Sequence, residues 1–346
     1  MSIFRKIFKD VIPHKNPADD SAKVKEKPKP KYYGTVTPYP NFDASSDASV
    51  LQSAIKAKGV DEDVIVSVLV KRNNEQRQKI KVVYEAKAGG SLEKALKSAL
   101  SSHFEDVCLA LIMRPAHFDA YLLEKAIKGL GTDERVLVEI LATRSNREIQ
   151  EIKEVFKKEY QRDLEQVIKE ETSGDFTKAL LAMLSAQKDE STEVDSELAR
   201  KDAEILFEAA KHTSAADVSS FINILTKRSN AQLCKTFQQY ASVSDVTLPK
   251  ALEMELKGDI ENCLIDIVKC AFNTPAFFAE KLHLAMKGLG TCEKTLIRIL
   301  VSRSEVDLKK ILEQYKLMCN HSAQEDILKD TKGHFQQALL GLCGPQ

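Results

Sequence analysis

Two stretches of this 346-residue chain combine glycine loops with a distant acid in one register: Ile127-Lys128-Gly129-Leu130-Gly131-Thr132 and Met286-Lys287-Gly288-Leu289-Gly290-Thr291. Each lies between two helical patterns, and forty residues past its second glycine comes a carboxylate, Glu171 or Asp330. A helix end leaves carbonyl oxygens without intrahelical partners. Glycines let the chain turn so that several of them converge outward. Calcium takes about six to eight oxygens at about 2.3–2.6 Å, and accepts carbonyls, water and a bidentate carboxylate. The carbonyls of Ile127, Gly129 and Gly131 with Glu171 make a partial cage of this kind, as do those of Met286, Gly288 and Gly290 with Asp330. The remaining positions suit water or a ligand's phosphate oxygen. A lone G-x-G would read as a helix C-cap. Two copies paired with acids at one distance point instead to metal binding, by a motif other than the twelve-residue calcium loop.

These loops belong to a larger repetition. An arginine ends an apolar helical run four times, at Arg72, Arg144, Arg228 and Arg303. Twelve residues beyond each stands an aromatic, Tyr84, Phe156, Tyr240 and Tyr315. Thirty residues beyond stands a small residue, Ser102, Gly174, Gly258 and Gly333. Three columns in one register predict a fourfold repeat, with units at 42–114, 115–186, 199–273 and 274–346. A polar segment, 187–198, divides the second unit from the third and reads as a linker between two halves. Only the second and fourth units carry the full loop and acid. The third keeps Glu255 but has Thr213 and Ala215 in place of the glycines, and the first has Gly59 and Ala57 with Ala99 at the acid position.

Within a unit the apolar spacing is helical throughout. In the second, Pro115 opens a helix that Gly129 and Gly131 end. Thr132-Asp133 offers an N-cap to a second helix, and Asn146 is expected to cap a third. A short fourth carries Leu164, Val167 and Ile168, and a fifth begins at Asp175. No stretch alternates as a strand should, so the predicted fold is all-α with five helices per unit. The repeated arginine is expected to serve structure, through helix-end carbonyls or an ion pair inside each unit.

Composition narrows the function. Lys+Arg and Asp+Glu number 51 each, so a globally basic nucleic-acid surface is not indicated and no nucleic-acid partner is expected. Seven cysteines lack zinc-ligand spacing and read as reduced, mostly core thiols of a cytosolic protein. No apolar run approaches the length of about 20 residues that crosses a bilayer, and no secretory signal is evident, so membrane contact must be peripheral. Residues 1–41 form a separate head and linker. Ile3, Phe4, Ile7, Phe8 and Val11 share one helical face, which suits a membrane interface, another protein's apolar groove or the chain's own core. A Lys- and Pro-rich arm with Tyr32 and Tyr33 follows; its exposed Ser, Thr and Tyr are open to phosphorylation.

The K-G-x-G-T loops, the arginine and the S-G-D-F or K-G-D-I step, in repeats of about seventy residues, resemble the annexin family over residues 42–346. The head and wording such as PAFFAEKLH and LKGDIE look closest to its lipocortin branch, the first annexin type. The resemblance implies four five-helix repeats in a slightly curved disc, with an N-terminal amphipathic helix and linker. It implies a calcium-dependent phospholipid-binding protein whose convex face carries the calcium loops. It further implies secondary calcium sites at Gly59, Val60 and Glu62, at Lys97, Leu100 and Glu105, and at Thr132 and Glu134. The Thr213 and Ala215 departures put the site at Glu255 in question, and Asp330 is shorter than the usual Glu. Inhibition of phospholipase A2, a part in inflammation and membrane trafficking, and bridging of membranes also belong to what the resemblance implies. So does a cytoplasmic location with peripheral residence on plasma or endosomal membranes, extending to the nucleus or to export without a signal.

A second reading is a protein-interaction scaffold whose residues 1–16 bind a calcium sensor of the S100 type. An enzyme is the third, and is disfavoured: no G-x-S-x-G, P-loop or histidine-rich metal motif is present. The histidines do not cluster, and His103 with His334 occupy one repeat position, a structural choice.

Overall fold

A computed structural model describes residues 31–129, 131–211 and 215–345, without the side chains of 215–217. The expected head helix at 1–16, the arm up to residue 30, Leu130 and Thr213 lie outside the described residues.

The first repeat comprises α1 (Ala44–Lys56), α2 (Glu62–Val70), α3 (Asn74–Ala88), α4 (Leu92–Ala99) and α5 (Ser102–Ile112). The second comprises α6 (Pro115–Ile127), α7 (Glu134–Thr143), α8 (Asn146–Tyr160), α9 (Leu164–Glu171) and α10 (Gly174–Leu184). Then come α11 (Ser196–Ala209), α12 (Ala215–Lys227), α13 (Asn230–Val243), α14 (Leu248–Glu255) and α15 (Asp259–Met286). The last are α16 (Glu293–Arg303), α17 (Leu308–Cys319), α18 (Ala323–Asp330) and α19 (Gly333–Leu342). Helix α15 is two helices in one. Asn273, at φ −158° and ψ 91°, breaks it, and its side chain accepts from the Ala276 N–H at 2.9 Å to start the second part. Counted that way, each of four repeats has five helices, and no strand occurs among the described residues.

Local chemistry explains the helix starts. Asp43, Asp61, Ser91, Asp133, Asp163 and Asp195 each accept from a backbone N–H of the first turn, each cap being worth about 1 kcal/mol. At α8 the cap is Ser145, one residue before the expected Asn146. Ser145 and Glu148 close a reciprocal capping box. Asn146 instead points its amide at the next segment, donating to the Lys188 carbonyl at 2.7 Å and accepting from the Lys188 N–H at 3.2 Å.

The repeated columns have separate physical causes. Tyr84, Phe156, Tyr240 and Tyr315 are all buried core, each worth about 2 kcal/mol of apolar burial. Ser102, Gly174, Gly258 and Gly333 all stand at positive φ, between 57° and 80°, where each fifth helix begins. Only glycine takes that geometry without a Cβ penalty. The arginine makes an ion pair, not a helix-end cap: Arg72 with Asp47, Arg144 with Asp119 and Arg228 with Asp202, by two hydrogen bonds each. In the fourth repeat Phe278 takes the acid's place and lies 4.6 Å from the Arg303 guanidinium, which turns to Asp307 at 2.8 Å.

The chain packs as two compact units. One runs up to Arg114 and resumes at Phe278; the other is Pro115–Phe277. The polar segment 187–198 lies inside the second unit, not between two halves. In the first unit α2 packs on α19 and α5 on α16. Gly341 meets Val70 so closely that an added Cβ would stand 2.8 Å from its Cγ2. The arm's described part, before α1, is held down on the fourth repeat. Thr35 N–H donates to the Ser304 carbonyl at 2.7 Å, and its hydroxyl to the Leu342 carbonyl at 2.6 Å. In the second unit α10 packs on α12, and α6 on α8.

Candidate metal sites

The two loops and their acids meet. In the second repeat α6 ends at Ile127, and Gly131, at φ 97°, turns the chain into α7. The Asp133 N–H donates back to the Ala126 carbonyl at 2.8 Å. The fourth repeat closes its loop the same way, Cys292 N–H to Ala285 carbonyl at 2.8 Å, and the first does so from Asp61 to Ala54 at 2.9 Å. Gly288 and Gly290 stand at φ 103° and 93°. Among the described residues, no hydrogen bond is recorded to the carbonyls of Met286, Gly288 and Gly290.

Glu171 is the last residue of α9 and Asp330 the last of α18. A threonine ties each to its loop. Thr132 Oγ1 donates to the Glu171 carbonyl at 3.5 Å, and Thr291 Oγ1 lies 3.3 Å from both the Asp330 carbonyl and its carboxylate Oδ2. Ile127, Gly129 and Glu171 line one cleft. The residues therefore offer a hard-oxygen donor set that fits calcium: exposed loop carbonyls beside one carboxylate. Thr291 closes the stretch read from sequence but was not assigned there as a site residue, as Thr132 was. The signal was there, a threonine after the second glycine in both loops.

The other expected positions differ among themselves. Glu255 ends α14 and is exposed, but the loop it would face includes residues outside the description. Gly59, at φ 87°, and Val60, at φ 41°, form the first repeat's loop. There the Val60 carbonyl accepts from Glu62 N–H at 3.0 Å, and the Glu62 carboxylate pairs with His334 Nδ1 at 2.6 Å. Lys97 lies in the last turn of α4, paired to Glu93, Leu100 caps that helix and Glu105 lies in the first turn of α5. Glu134 opens α7 next to its cap Asp133. The like-placed His103 lies 3.8 Å from Glu293. So both histidines face acids of the neighbouring repeat within their unit. Of the cysteines, Cys108, Cys263, Cys270 and Cys343 are buried and Cys292 is exposed.

A profile of the Annexin family matches residues 46–111, 118–183, 201–267 and 277–342. The chain belongs to the annexin family. Annexin A1 of Cavia cutleri is 50% identical over 346 residues, the whole of both chains. Human Annexin A1 is 50% identical over 309 residues, 89% of each. These relatives agree with the lipocortin branch expected from the sequence. Among solved structures, annexin III superposes with a TM-score of 0.88 at 44% identity, covering 91% of this chain and 98% of that one. A calcium-bound annexin (Sm)1 does so at 0.81 and 32%, covering 91% and 93%. Membership makes this annexin a calcium-binding protein of the class that binds membranes in a calcium-dependent way. No helix among the described residues is long and apolar enough to cross a membrane.

Proposed function

We propose that this annexin docks on anionic phospholipid through two loops: Ile127, Gly129 and Gly131 with Glu171, and Met286, Gly288 and Gly290 with Asp330. The observation that carries this reading is the meeting of each loop with its acid, through Thr132 and Thr291. A bound calcium ion supplies the positive charge that a neutral chain lacks, and lipid phosphate completes its shell. With few charged ligands each site alone is weak, on the order of 10⁻⁴ M; several carried by one chain gain by effective concentration. Leu289, wholly exposed between Gly288 and Gly290, is placed to enter the lipid interface. The sites at Gly59, Val60 and Glu62, at Lys97, Leu100 and Glu105, at Thr132 and Glu134, and at Glu255 are assigned secondary roles. Repeat boundaries at 42–114, 115–186, 199–273 and 274–346 accompany this reading. Covering lipid from phospholipase A2, and with it a part in inflammation, follows from the same docking. An S100-type partner would engage residues 1–16, outside the described residues.

Sedimentation with phosphatidylserine vesicles across a calcium titration tests the reading. Glu171→Gln with Asp330→Asn is expected to raise the calcium midpoint on the order of tenfold or more, since charge count tunes such sites over decades. An unchanged midpoint would overturn it.

A further inference from the structure

The first repeat's loop has the donors for calcium, but its acid is already engaged. Glu62 opens α2 directly after the cap Asp61. The Val60 carbonyl accepts from the Glu62 N–H at 3.0 Å, yet a carbonyl oxygen has two lone pairs and keeps one for a cation. The carboxylate is the contested group. His334, the second residue of α19, stands with Nδ1 2.6 Å from Glu62 Oε2 and Nε2 3.1 Å from Asp63 Oδ1. An ionised carboxylate only accepts, so Nδ1 donates to Glu62. The ring is held from behind as well: Phe104 of α5 packs against it, ring centroids 5.6 Å apart.

The repeats do not share this bond. Ten residues before the repeated arginine stand Glu62, Glu134, Val218 and Glu293, and thirty-one beyond it His103, Asp175, Asp259 and His334. Glu293 faces His103 only at 3.8 Å, outside hydrogen-bonding distance. In the second unit the later column holds acids, which when ionised have no proton to donate. Only at Glu62 does the like-placed acid meet an imidazole at 2.6 Å among the described residues. Both side chains stay partly open to solvent, His334 at 32% and Glu62 at 34%, so an incoming ion can reach the carboxylate.

Resting on the reading of Gly59, Val60 and Glu62 as a secondary calcium site, we propose that His334 sets the occupancy of that site. Imidazole and calcium compete for the Glu62 carboxylate, and the ion enters by drawing Glu62 away from α19. The bond it breaks joins the first repeat to the fourth. Calcium at this loop therefore loosens the contact between α2 and α19, and by linkage a change that loosens that contact raises the affinity of the loop. The first repeat fills at higher calcium than its own oxygens alone would require.

The test is calcium calorimetry of the full chain without vesicles. Each protein is compared with its Glu62→Ala counterpart, so that the difference isolates this site. His334→Ala is expected to lower the half-filling calcium on the order of tenfold, the worth of one hydrogen bond to a charged group. His334→Asn keeps an N–H donor in place of Nδ1 and is expected to stay near wild type. A His334→Ala isotherm like the wild type's overturns the proposal alone. So does a shift that persists in the Glu62→Ala background, or His334→Asn behaving as His334→Ala does. Glu62→Ala removing no calcium heat from either the wild type or His334→Ala overturns the secondary-site reading as well. Thermal melts in chelator give a readout without metal and show that each variant folds. There Glu62→Ala and His334→Ala together are expected to lower the midpoint by less than the sum of their separate effects, as partners in one bond do. Additive losses would overturn the proposal, since no bond would then exist for calcium to break.

Discussion

Asp119 and Arg144 are both sealed in the second repeat's interior, with side chains 8% and 3% exposed, whereas Arg228 opposite Asp202 is 30% exposed. Removing one partner of a buried pair strands the other charge at a cost of about 3–5 kcal/mol, while a solvated guanidinium recovers much of that loss. Asp119→Asn is therefore expected to destabilise by about 3 kcal/mol and Asp202→Asn by clearly less, read from denaturant midpoints. At this scale the sequence was legible in type but not in partner. The arginine column stood out by spacing alone. Its acid lies twenty-five or twenty-six residues upstream in three repeats and four downstream in the last. Only the packing of the first helix, with Phe278 in the acid's place, explains that switch. Glu62 was read as a calcium ligand without any sign of His334, which stands 272 residues away in sequence.

Among elements, helix starts were the most legible, because capping is local. The exception at α8 was a choice between adjacent Ser145 and Asn146, settled by the capping box with Glu148 and by the use of the Asn146 amide elsewhere. One start is poorly equipped. Cys292 caps α16 without a side-chain bond, where Asp61 and Asp133 cap the like helices. Cys292→Asp is expected to stabilise the chain by about 1 kcal/mol in calcium-free buffer, seen as a higher thermal midpoint; no gain would contradict this account of the loop. Between α17 and α18 a second element-level device appears. The hydroxyl of buried Tyr315 donates to Asp326, whose Oδ2 also lies 2.7 Å from His321 Nε2. Burial works to raise the Asp326 carboxyl, but the bonds from Tyr315 and His321 outweigh it and hold it below the ordinary carboxylate range. A depressed carboxyl contributes stability that is full above its unfolded value and lost as pH falls through the folded one. Asp326→Asn is thus expected to cost about 1 kcal/mol at neutral pH. In acid, the difference from wild type should close as pH falls through the depressed Asp326 carboxyl, checked by thermal melts across pH in chelator.

For the whole molecule, four repeats of five helices were legible because three columns kept one register over the chain. The grouping of those repeats was not. The longer interval between the second and third suggested a division there, yet first packs with fourth and second with third. Periodicity reports which segments are alike; it carries no information on which apolar faces find each other across more than two hundred residues.

The seam at Thr35 has a further bearing on architecture. Its hydroxyl meets the carbonyl of Leu342, and Gly344 comes back beside it, so the end of the fourth repeat returns to the arm that precedes α1. Connectivity at that place is then a convenience, not a necessity. A circular permutant, joined there by a short linker and opened in the exposed segment 190–194, is expected to retain its helical circular-dichroism spectrum and cooperative melting, since the change breaks no helix.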